Sequence, residues 1–387
     1  MIGVIADDLT GAAELGAVGW RLGLRAEILS NNRLDTAVDL ACVDTDSRSC
    51  TPNEAANRAA AAAKLLQDAG ARWIYKKVDS VLRGNVTAEV EAVMRQLGYN
   101  RALLLPANPS LGRIIRDGQY FVGGTPIDRT EFAHDPEYPR HSAQVLRMVA
   151  EPRHFSLQLA TKGGFDVPEN TILIGQADSS EAVLAWARAR QDTVLPVGGS
   201  EFFSALLASE LKQPAPVAQD KFEFGDERQL FVCGSGSDAA DQLFRSARKA
   251  KVPVFTLSEE FTFAKELSTG AYDALAQRVI EGFAKSKRVV IGIGLPQMSE
   301  ASTARRLSEH LVDVAALVIR RAGIRYVFAE GGATSAELVR RMEWSRLEVC
   351  REWAPGVATL AVASEKRLWL TIKPGSYSWP KAWTGAA

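Results

Sequence analysis

Short apolar runs of strand type alternate with longer segments whose apolar residues recur at helical spacing through most of this chain. Residues 1–6 predict a strand and 10–22 a helix that Gly23 ends, and further strands follow at 25–29 and 40–43. Thr51-Pro52-Asn53-Glu54 reads as a capping box: Thr51 is the N-cap, Pro52 takes the first helical position and Glu54 reaches back. An alanine-rich helix is therefore expected to residue 69. A strand at 73–76, a helix at 85–97 and a strand at 102–105 complete an alternation of β and α that implies a parallel sheet. From 112 to about 160 the period is lost, which predicts an irregular excursion with a hairpin within 118–130. Long irregular segments inside compact domains are commonly functional loops. Strands at 172–174 and 193–197 flank a helix near 180–190. After a break over 211–229, strands resume at 229–233, 254–257, 288–293, 326–329 and 367–372, with a helix at 335–342.

With 387 residues the chain exceeds what one hydrophobic core usually serves, so two domains are expected, 1–215 and 228–387, joined by a proline- and charge-rich linker. The fold class that follows is α/β, two α/β domains with mainly parallel sheets. Lysine plus arginine equals aspartate plus glutamate at 46 each, which gives no reason to expect nucleic acid or an acidic membrane surface as partner. Cys42, Cys50, Cys233 and Cys350 show no CxxC spacing and lie in or near apolar strands, as free thiols in a reducing compartment do. The first residues enter a strand at once and no run approaches a membrane span, so a soluble, cytoplasmic protein is expected.

Six strand-type runs end at loops that could hold a ligand: 6–12 (ADDLTGA), 44–49 (DTDSRS), 76–85 (KKVDSVLRGN), 234–240 (GSGSDAA), 330–335 (EGGATS) and 373–377 (KPGSY). In open α/β sheets ligands sit beyond the carboxyl ends of parallel strands, where loops converge and helix N-termini offer free N–H groups. The first three loops are rich in Asp, Arg and Lys and suit a charged substrate; the last three are rich in Gly, Ser and Thr and suit a phosphate chain. Asp7 and Asp8 meet a helix start, where one carboxylate would serve as cap and the second remains for a base. Arg48 adds a planar donor able to take a carboxylate through two parallel hydrogen bonds. Lys76, Lys77, Asp79, Ser80 and Arg83 read either as a solvated charge run or as a cradle for a polar substrate. His134 and His141 lie in the irregular stretch without metal-ligand spacing.

Residues 234–239, GSGSDA, match the dinucleotide pattern GxGxxG/A and are followed by a second strand and the pair Glu259 and Glu260, as a nicotinamide or flavin enzyme would require. A glycine-rich turn before a helix also binds the phosphates of any nucleotide. No GxxxxGK[ST] loop occurs, so a phosphate chain would need several glycine loops together. EGGATS supplies one, with Gly331, Gly332 and Thr334 presenting N–H and hydroxyl groups, and the plainer reading is a glycine turn with Thr334 as N-cap. Three readings therefore stand on the residues: a phosphate-transferring enzyme, an NAD(P)-dependent dehydrogenase, and a non-catalytic sensor that keeps both pockets.

Taken in order, ADDLTGA, DTDSR, KKVDSVLRGN, PANPSLGR with GTPIDRTEFAHDP, GSGS, EGGATS and KPGSY resemble the four-carbon acid sugar kinase family over nearly the whole chain. The resemblance implies an N-terminal sugar-acid domain and a C-terminal nucleotide-binding domain. It implies ATP and Mg²⁺ as cofactors, and phosphorylation of threonate, erythronate or 3-oxo-tetronate at the terminal hydroxyl. By motif position it places Asp7, Asp8, Arg48, Lys77, Asp79, Ser80, Val81, Leu82 and Arg83 at the substrate, with Asp8 as catalytic base. Ser235, Ser237, Gly331, Gly332, Ala333, Thr334 and Gly375 fall at ATP. The partners implied are a small sugar acid and ATP, with a homodimer left open.

Overall fold

A computed structural model describes all residues except 31–33, 35–37, 136, 161–165, 212–223, 235–237, 259, 262–266, 295–300, 376–378 and 380–387. The chain divides into two compact units, Met1–Gln219 and Asp220–Ala387. The first contains β1 (Ile2–Ala6), α1 (Leu9–Arg21), β2 (Ala26–Leu29), β3 (Leu40–Asp44), α2 (Pro52–Asp68), β4 (Ile74–Lys77), α3 (Val86–Leu97) and β5 (Arg101–Leu105). A small antiparallel sheet of β6 (Arg113–Arg116), β7 (Gln119–Val122) and β8 (Thr125–Pro126) follows, then β9 (Ser156–Leu159), β10 (Thr171–Ile174), α4 (Ser180–Arg188), β11 (Leu195–Gly198) and α5 (Ser200–Glu210). The main sheet runs β2-β3-β1-β4-β11-β5-β10-β9 with every pair parallel. Its central strands are buried on both faces, as strands covered by helices on each side must be, which is why they read as continuous apolar runs.

The second unit contains β12 (Gln229–Cys233), α6 (Asp238–Lys249), β13 (Val254–Thr256), α7 (Thr269–Gly282), β14 (Arg288–Gly292), α8 (Ala301–Ala322), β15 (Tyr326–Glu330), α9 (Gly332–Arg341), β16 (Arg346–Ala354), β17 (Val357–Val362) and β18 (Trp369–Lys373). Strands β13, β14, β12, β15 and β18 are parallel in that order, while β17 pairs antiparallel with both β18 and β16. The core centres on Phe231 and Phe328, stacked with ring centroids 4.2 Å apart, with Phe244, Tyr326 and Trp379 around them.

Four strands were not among those expected, and one of them, β17, is a buried apolar run, VATLAV, that the expectations passed over. β16 carries Arg346 and Glu348 two apart and Arg351 and Glu352 side by side, and most of it is only half-buried, so it presents no apolar run. β9 alternates exposed and half-buried residues at the sheet edge, and β6 is two isoleucines between arginines. The expected hairpin within 118–130 is β7–β8, extended by β6 to three strands. The capping box forms as read: Thr51 Oγ1 accepts from the Glu54 N–H, and Glu54 Oε2 accepts from the Thr51 N–H at 3.1 Å. Among the described residues no helix is long and apolar enough to cross a membrane. Thr51→Ala removes the cap without touching the strand ends. It should lower stability to urea by about 1 kcal/mol and leave ligand binding unchanged; a loss of binding at full stability would show that this helix terminus shapes the site.

Candidate functional site

In the first unit β1 and β4 are neighbours whose outgoing connections leave in opposite directions, towards β2 on one side and β5 on the other. Such a switch point opens a crevice beyond the strand ends. The loops after β1, β3 and β4 converge there on one guanidinium. Arg48 Nε donates to Asp7 Oδ2 at 2.7 Å, its Nη1 lies 2.8 Å from Asp8 Oδ2, and its Nη2 lies 3.8 Å from Asp79 Oδ2. The division of labour between the paired aspartates differs from a cap beside a free base. Asp8 itself caps α1, its Oδ1 accepting from the Gly11 N–H at 2.8 Å, while its Oδ2 stays at the arginine. Asp7 is the more buried, and its Oδ1 has no hydrogen-bond partner among the described residues; nor has the neighbouring Thr10 hydroxyl.

This packing separates the two acids electrostatically. Burial would raise Asp7, but Arg48, Lys76 and Lys77 outweigh it and hold the carboxyl below its ordinary value. Burial raises Asp8 above its ordinary value, Arg48 only partly offsets that, and the charge on Asp7 pushes it further. Asp44, at the end of β3, is raised well above its ordinary value, chiefly by burial. Beneath them Lys76 Nζ pairs with Glu89 Oε2 of α3 at 2.7 Å, and Ser47 donates to Glu89 Oε1 at 2.9 Å. Lys77 Nζ donates to the Val78 carbonyl and lies 3.5 Å from Glu14, and burial is outweighed there by its acidic neighbours, which raise it.

The loop after β4 is wound about Asp79. Its Oδ1 accepts from the N–H groups of Val81 and Arg83 and from Arg83 Nε, and its Oδ2 accepts from Arg83 Nη2 at 2.9 Å. Although burial opposes it, Arg83 and Arg48 hold Asp79 well below the usual carboxylate range. The turn places Leu82 in the left-handed region at φ 63°, a strained state for a leucine and one that tends to mark functional loops. Val81 and Leu82 are buried, so a ligand would meet their backbone. Ser80 Oγ accepts from Arg113 and the Ser80 carbonyl from Tyr120, both of the excursion's small sheet. Asn85 Nδ2 donates to the Cys50 carbonyl at 2.9 Å and ties this loop to the Arg48 loop. Arg113, Tyr120, Asn85, Glu89 and Asp44 were not among the expected site residues; the first two come from the irregular stretch, where only its length signalled a role.

In the second unit the same strand order recurs: second, third, first, fourth, as β13-β14-β12-β15 against β2-β3-β1-β4. Its switch point lies between β12 and β15. Helix α9 begins at Gly332, three residues before the expected start, so Thr334 is in the first turn and Gly331, at φ 98°, is the cap. The N–H groups of Gly332, Ala333 and Thr334 thereby have no acceptor within the helix and are donors for an acceptor from outside it. Thr334 Oγ1 bonds to Ser308 Oγ at 2.9 Å. A Cβ on Gly234 would come within 1.8 Å of Thr334 Oγ1, so only glycine fits where the loops after β12 and β15 touch. Gly331 donates to the Lys373 carbonyl at 2.9 Å, and Lys373 Nζ, 3.6 Å from the buried Glu330, donates to the carbonyls of Pro374 and Gly375. Three strand-end loops are thus linked, with Glu330 and Lys373 beneath them. Ser235 and Ser237 lie outside the described residues.

The dinucleotide expectation fails on topology. In that fingerprint the strand after the glycine turn lies beside the first strand, so that its terminal acid reaches the ribose. Here β14 stands between β12 and β13, so the strand after the glycine turn is not the first strand's neighbour; Glu259 lies outside the described residues.

Both units are α/β folds with strand-end loops gathered at a switch point, one set rich in charged side chains and the other in glycine beside a helix terminus. Comparison with known proteins agrees: a sugar-binding N-terminal domain matches residues 2–206 and a nucleotide-binding C-terminal domain matches residues 230–377. The chain belongs to the four-carbon acid sugar kinase family. It is 35% identical over 150 residues to D-threonate kinase of Salmonella typhimurium, covering 38% of this chain and 36% of that one. It is 33% identical over 198 residues to D-erythronate kinase of Heliobacterium modesticaldum, covering 50% of this chain and 44% of that one. These matched stretches span less than half of either relative. Against 3-oxo-tetronate kinase of Haemophilus influenzae identity is 24% over 407 residues, covering 97% of each. Two solved structures share the fold over 97% of this chain and 96% of theirs. One is a Haemophilus influenzae protein of a family catalogued as a domain of unknown function (TM-score 0.71, 22% identity), the other a Salmonella typhimurium LT2 protein provisionally labelled a tRNA synthase (0.80, 20%).

Because the folded state lowers Asp79, this group contributes stability that is present above its ordinary value of 3.8 and is lost as pH falls towards its folded value. Asp79→Asn should therefore cost about 3 kcal/mol at neutral pH and flatten the stability profile below pH 3.8. Denaturation series at several pH values measure both; an unchanged acid slope would remove Asp79 from this role.

Proposed function

We propose that the chain is an ATP-dependent kinase that phosphorylates the terminal hydroxyl of a four-carbon sugar acid of the threonate, erythronate or 3-oxo-tetronate type. The observation that carries this reading is Asp8. It is a carboxylate at a strand-end crevice, oriented by a backbone N–H and a guanidinium, whose proton affinity is raised by burial and by Asp7. A base must hold a proton well enough to take one from a hydroxyl, and Asp8 has that character where Asp7 and Asp79 do not. The sugar-binding domain match over this unit and the kinase relatives support the same assignment.

In this reading Asp8 orients and deprotonates the terminal hydroxyl. Arg48 holds Asp8 in place and keeps Asp7 charged; Lys77, Asp79, Ser80, Arg83 and the Val81–Leu82 backbone line the remainder of the acid. Bound ATP supplies the phosphoryl group. Its phosphates lie on the N–H groups of Gly332, Ala333 and Thr334 beside Gly331 and Gly375, with Ser235 and Ser237 completing the glycine-serine loop. The glycine-only contact at Gly234 and the first-turn donors of α9 fit a phosphate chain. Among the described residues no group of three or more His, Cys, Asp or Glu is gathered as a metal cage. Mg²⁺ is proposed to arrive on the ATP phosphates and to need one or two carboxylates at most. Phosphoryl transfer is governed by positioning and charge stabilisation, which is what these fixed donors provide. Cys42, Cys50, Cys233 and Cys350 stand outside any disulfide, which fits a reducing cytoplasm.

Asp8→Asn is a clean test, because asparagine caps a helix as well as aspartate does. Turnover of D-threonate or D-erythronate with Mg-ATP should fall by roughly two to four orders of magnitude while ATP still binds. In the parent protein kcat/KM should rise with pH through the raised Asp8 value and then level, and that rise should vanish in the variant. Turnover within about threefold of the parent would end the assignment of Asp8 as base. Gly332→Val places a branched side chain over the first-turn donors of α9. Calorimetry should show ATP affinity reduced by at least about tenfold with cooperative unfolding preserved; unchanged affinity would move the nucleotide elsewhere.

A further inference from the structure

The charged groups of the first unit's crevice are nearly all paired with one another. Arg48 lies on Asp7 and Asp8, Lys76 on Glu89, Lys77 on Glu14, and Arg83 on Asp79 and Asp135. Two arginines of the excursion break the pattern. Arg113 donates to the Ser80 hydroxyl, and Arg140 donates through Nη1 to the Met148 carbonyl at 2.9 Å. Arg140 is 8% exposed, and its Nε and Nη2 are buried with no hydrogen-bond partner among the described residues. Leaving two donors of a desolvated cation unpaired is costly, and a native structure keeps such a group where a ligand or ion answers it. Nε and Nη2 form one edge of the guanidinium, the two-pronged edge that matches the two oxygens of a carboxylate. The Arg140 N–H donates to the Phe132 carbonyl at 2.9 Å, which anchors it to the 3-10 turn Glu131–His134. Phe132 also carries Arg113, the arginine on Ser80, 6.0 Å over its ring, so Arg140 flanks the Asp79–Ser80 side of the crevice, where Asp79, Arg83, Asp135 and Tyr120 act on its charge.

We propose that Arg140, assisted by Arg113, receives the carboxylate of the acid substrate, and that Arg48, whose Nε and Nη1 are committed to Asp7 and Asp8, does not. This assignment rests on the kinase reading and deepens it. The crevice becomes polar along its length, with Asp7, Asp8 and Asp44 at the end where the hydroxyl reacts and Arg113 and Arg140 at the other. An acid bearing a carboxylate at one end and a hydroxyl at the other fits that polarity in one direction only. Specificity for an acid over the corresponding polyol then resides in the irregular excursion, and not in the strand-end arginine Arg48.

Arg140→Met removes the cation and keeps the bulk. With Mg-ATP, KM for D-threonate or D-erythronate should rise by about 10- to 100-fold, the worth of a charged hydrogen-bonded contact, with kcat little changed. Activity on threitol or erythritol, the uncharged counterparts, should stay within about threefold. Arg140→Lys, which keeps the charge and loses the fork, should fall between; if the methionine variant does not fold, this variant and Arg113→Met carry the test. An unchanged KM for the acid, or an equal loss on acid and polyol, overturns the proposal while the kinase reading stands. Binding of the acid without ATP, followed by calorimetry, separates the two further. Acid binding that weakens in Arg140→Met, in a protein that never phosphorylates the acid, would retain the carboxylate site and reject the kinase. Absence of acid binding in the parent would reject both.

Discussion

The first unit's crevice depends on the Arg48 guanidinium and the carboxylates it holds. Asp7 and Asp8 are adjacent in sequence and both largely withdrawn from water, an arrangement that like-charge repulsion would break open if nothing stood between them. Arg48, delivered by the loop after β3, takes one oxygen of each. The consequence is asymmetric: Asp7, deeper and nearer to Lys76, stays charged, while Asp8 is left with a raised affinity for protons. Removing one member of a buried ion cluster strands the others, so the remaining charges are as much a constraint on the fold as a device of the site. Asn85, Tyr138 and Arg58 fix the carbonyls of the Arg48 loop and its flanks, which holds the guanidinium where the charges need it.

The two units solve the same geometric problem with different chemistry. Each places its first strand between the third and the fourth, so each has a switch point, and in each the loops on either side of that point touch. In the first unit the contact is ionic, between the loops after β1, β3 and β4. In the second it is steric, Gly234 against Thr334, with a helix terminus beside it. A charged acceptor needs neutralising side chains, and a phosphate chain needs backbone donors at close range. The residue types in the loops follow from that difference.

Much of this was legible along the chain, and the exceptions are instructive. Strands buried on both faces, such as β1, β5 and β15, show as apolar runs and were found; β16, a half-buried strand interrupted by four charges, was not. The loops at 6–12, 44–49, 76–85 and 330–335 were found because charge or glycine at a strand end is a local signal. The roles of Asp7 and Asp8 could not be read, since both fit a cap and only packing decides which carboxylate faces the helix. Arg48 carried the expectation of a fork to a substrate carboxylate; in the fold its Nε and Nη1 each meet a different carboxylate of the protein, Asp7 and Asp8. Arg140 carried no expectation, because nothing about an arginine in an irregular stretch reveals that it will be buried with two donors unanswered.

The sequence by itself determined the alternation of strands and helices, the family, the strand-end loops and the kind of ligand each could take, because these follow from periodicity, capping and residue type within a few positions. Only the tertiary structure decided which charges meet. Pairing between Arg48 and Asp7, Lys76 and Glu89, or Arg113 and Ser80 joins residues that strand order, not sequence distance, brings together. The same is true of the dinucleotide pattern at 234–239: its letters are local, but whether the next strand lies beside the first depends on the order of the whole sheet, and in this sheet β14 lies between them.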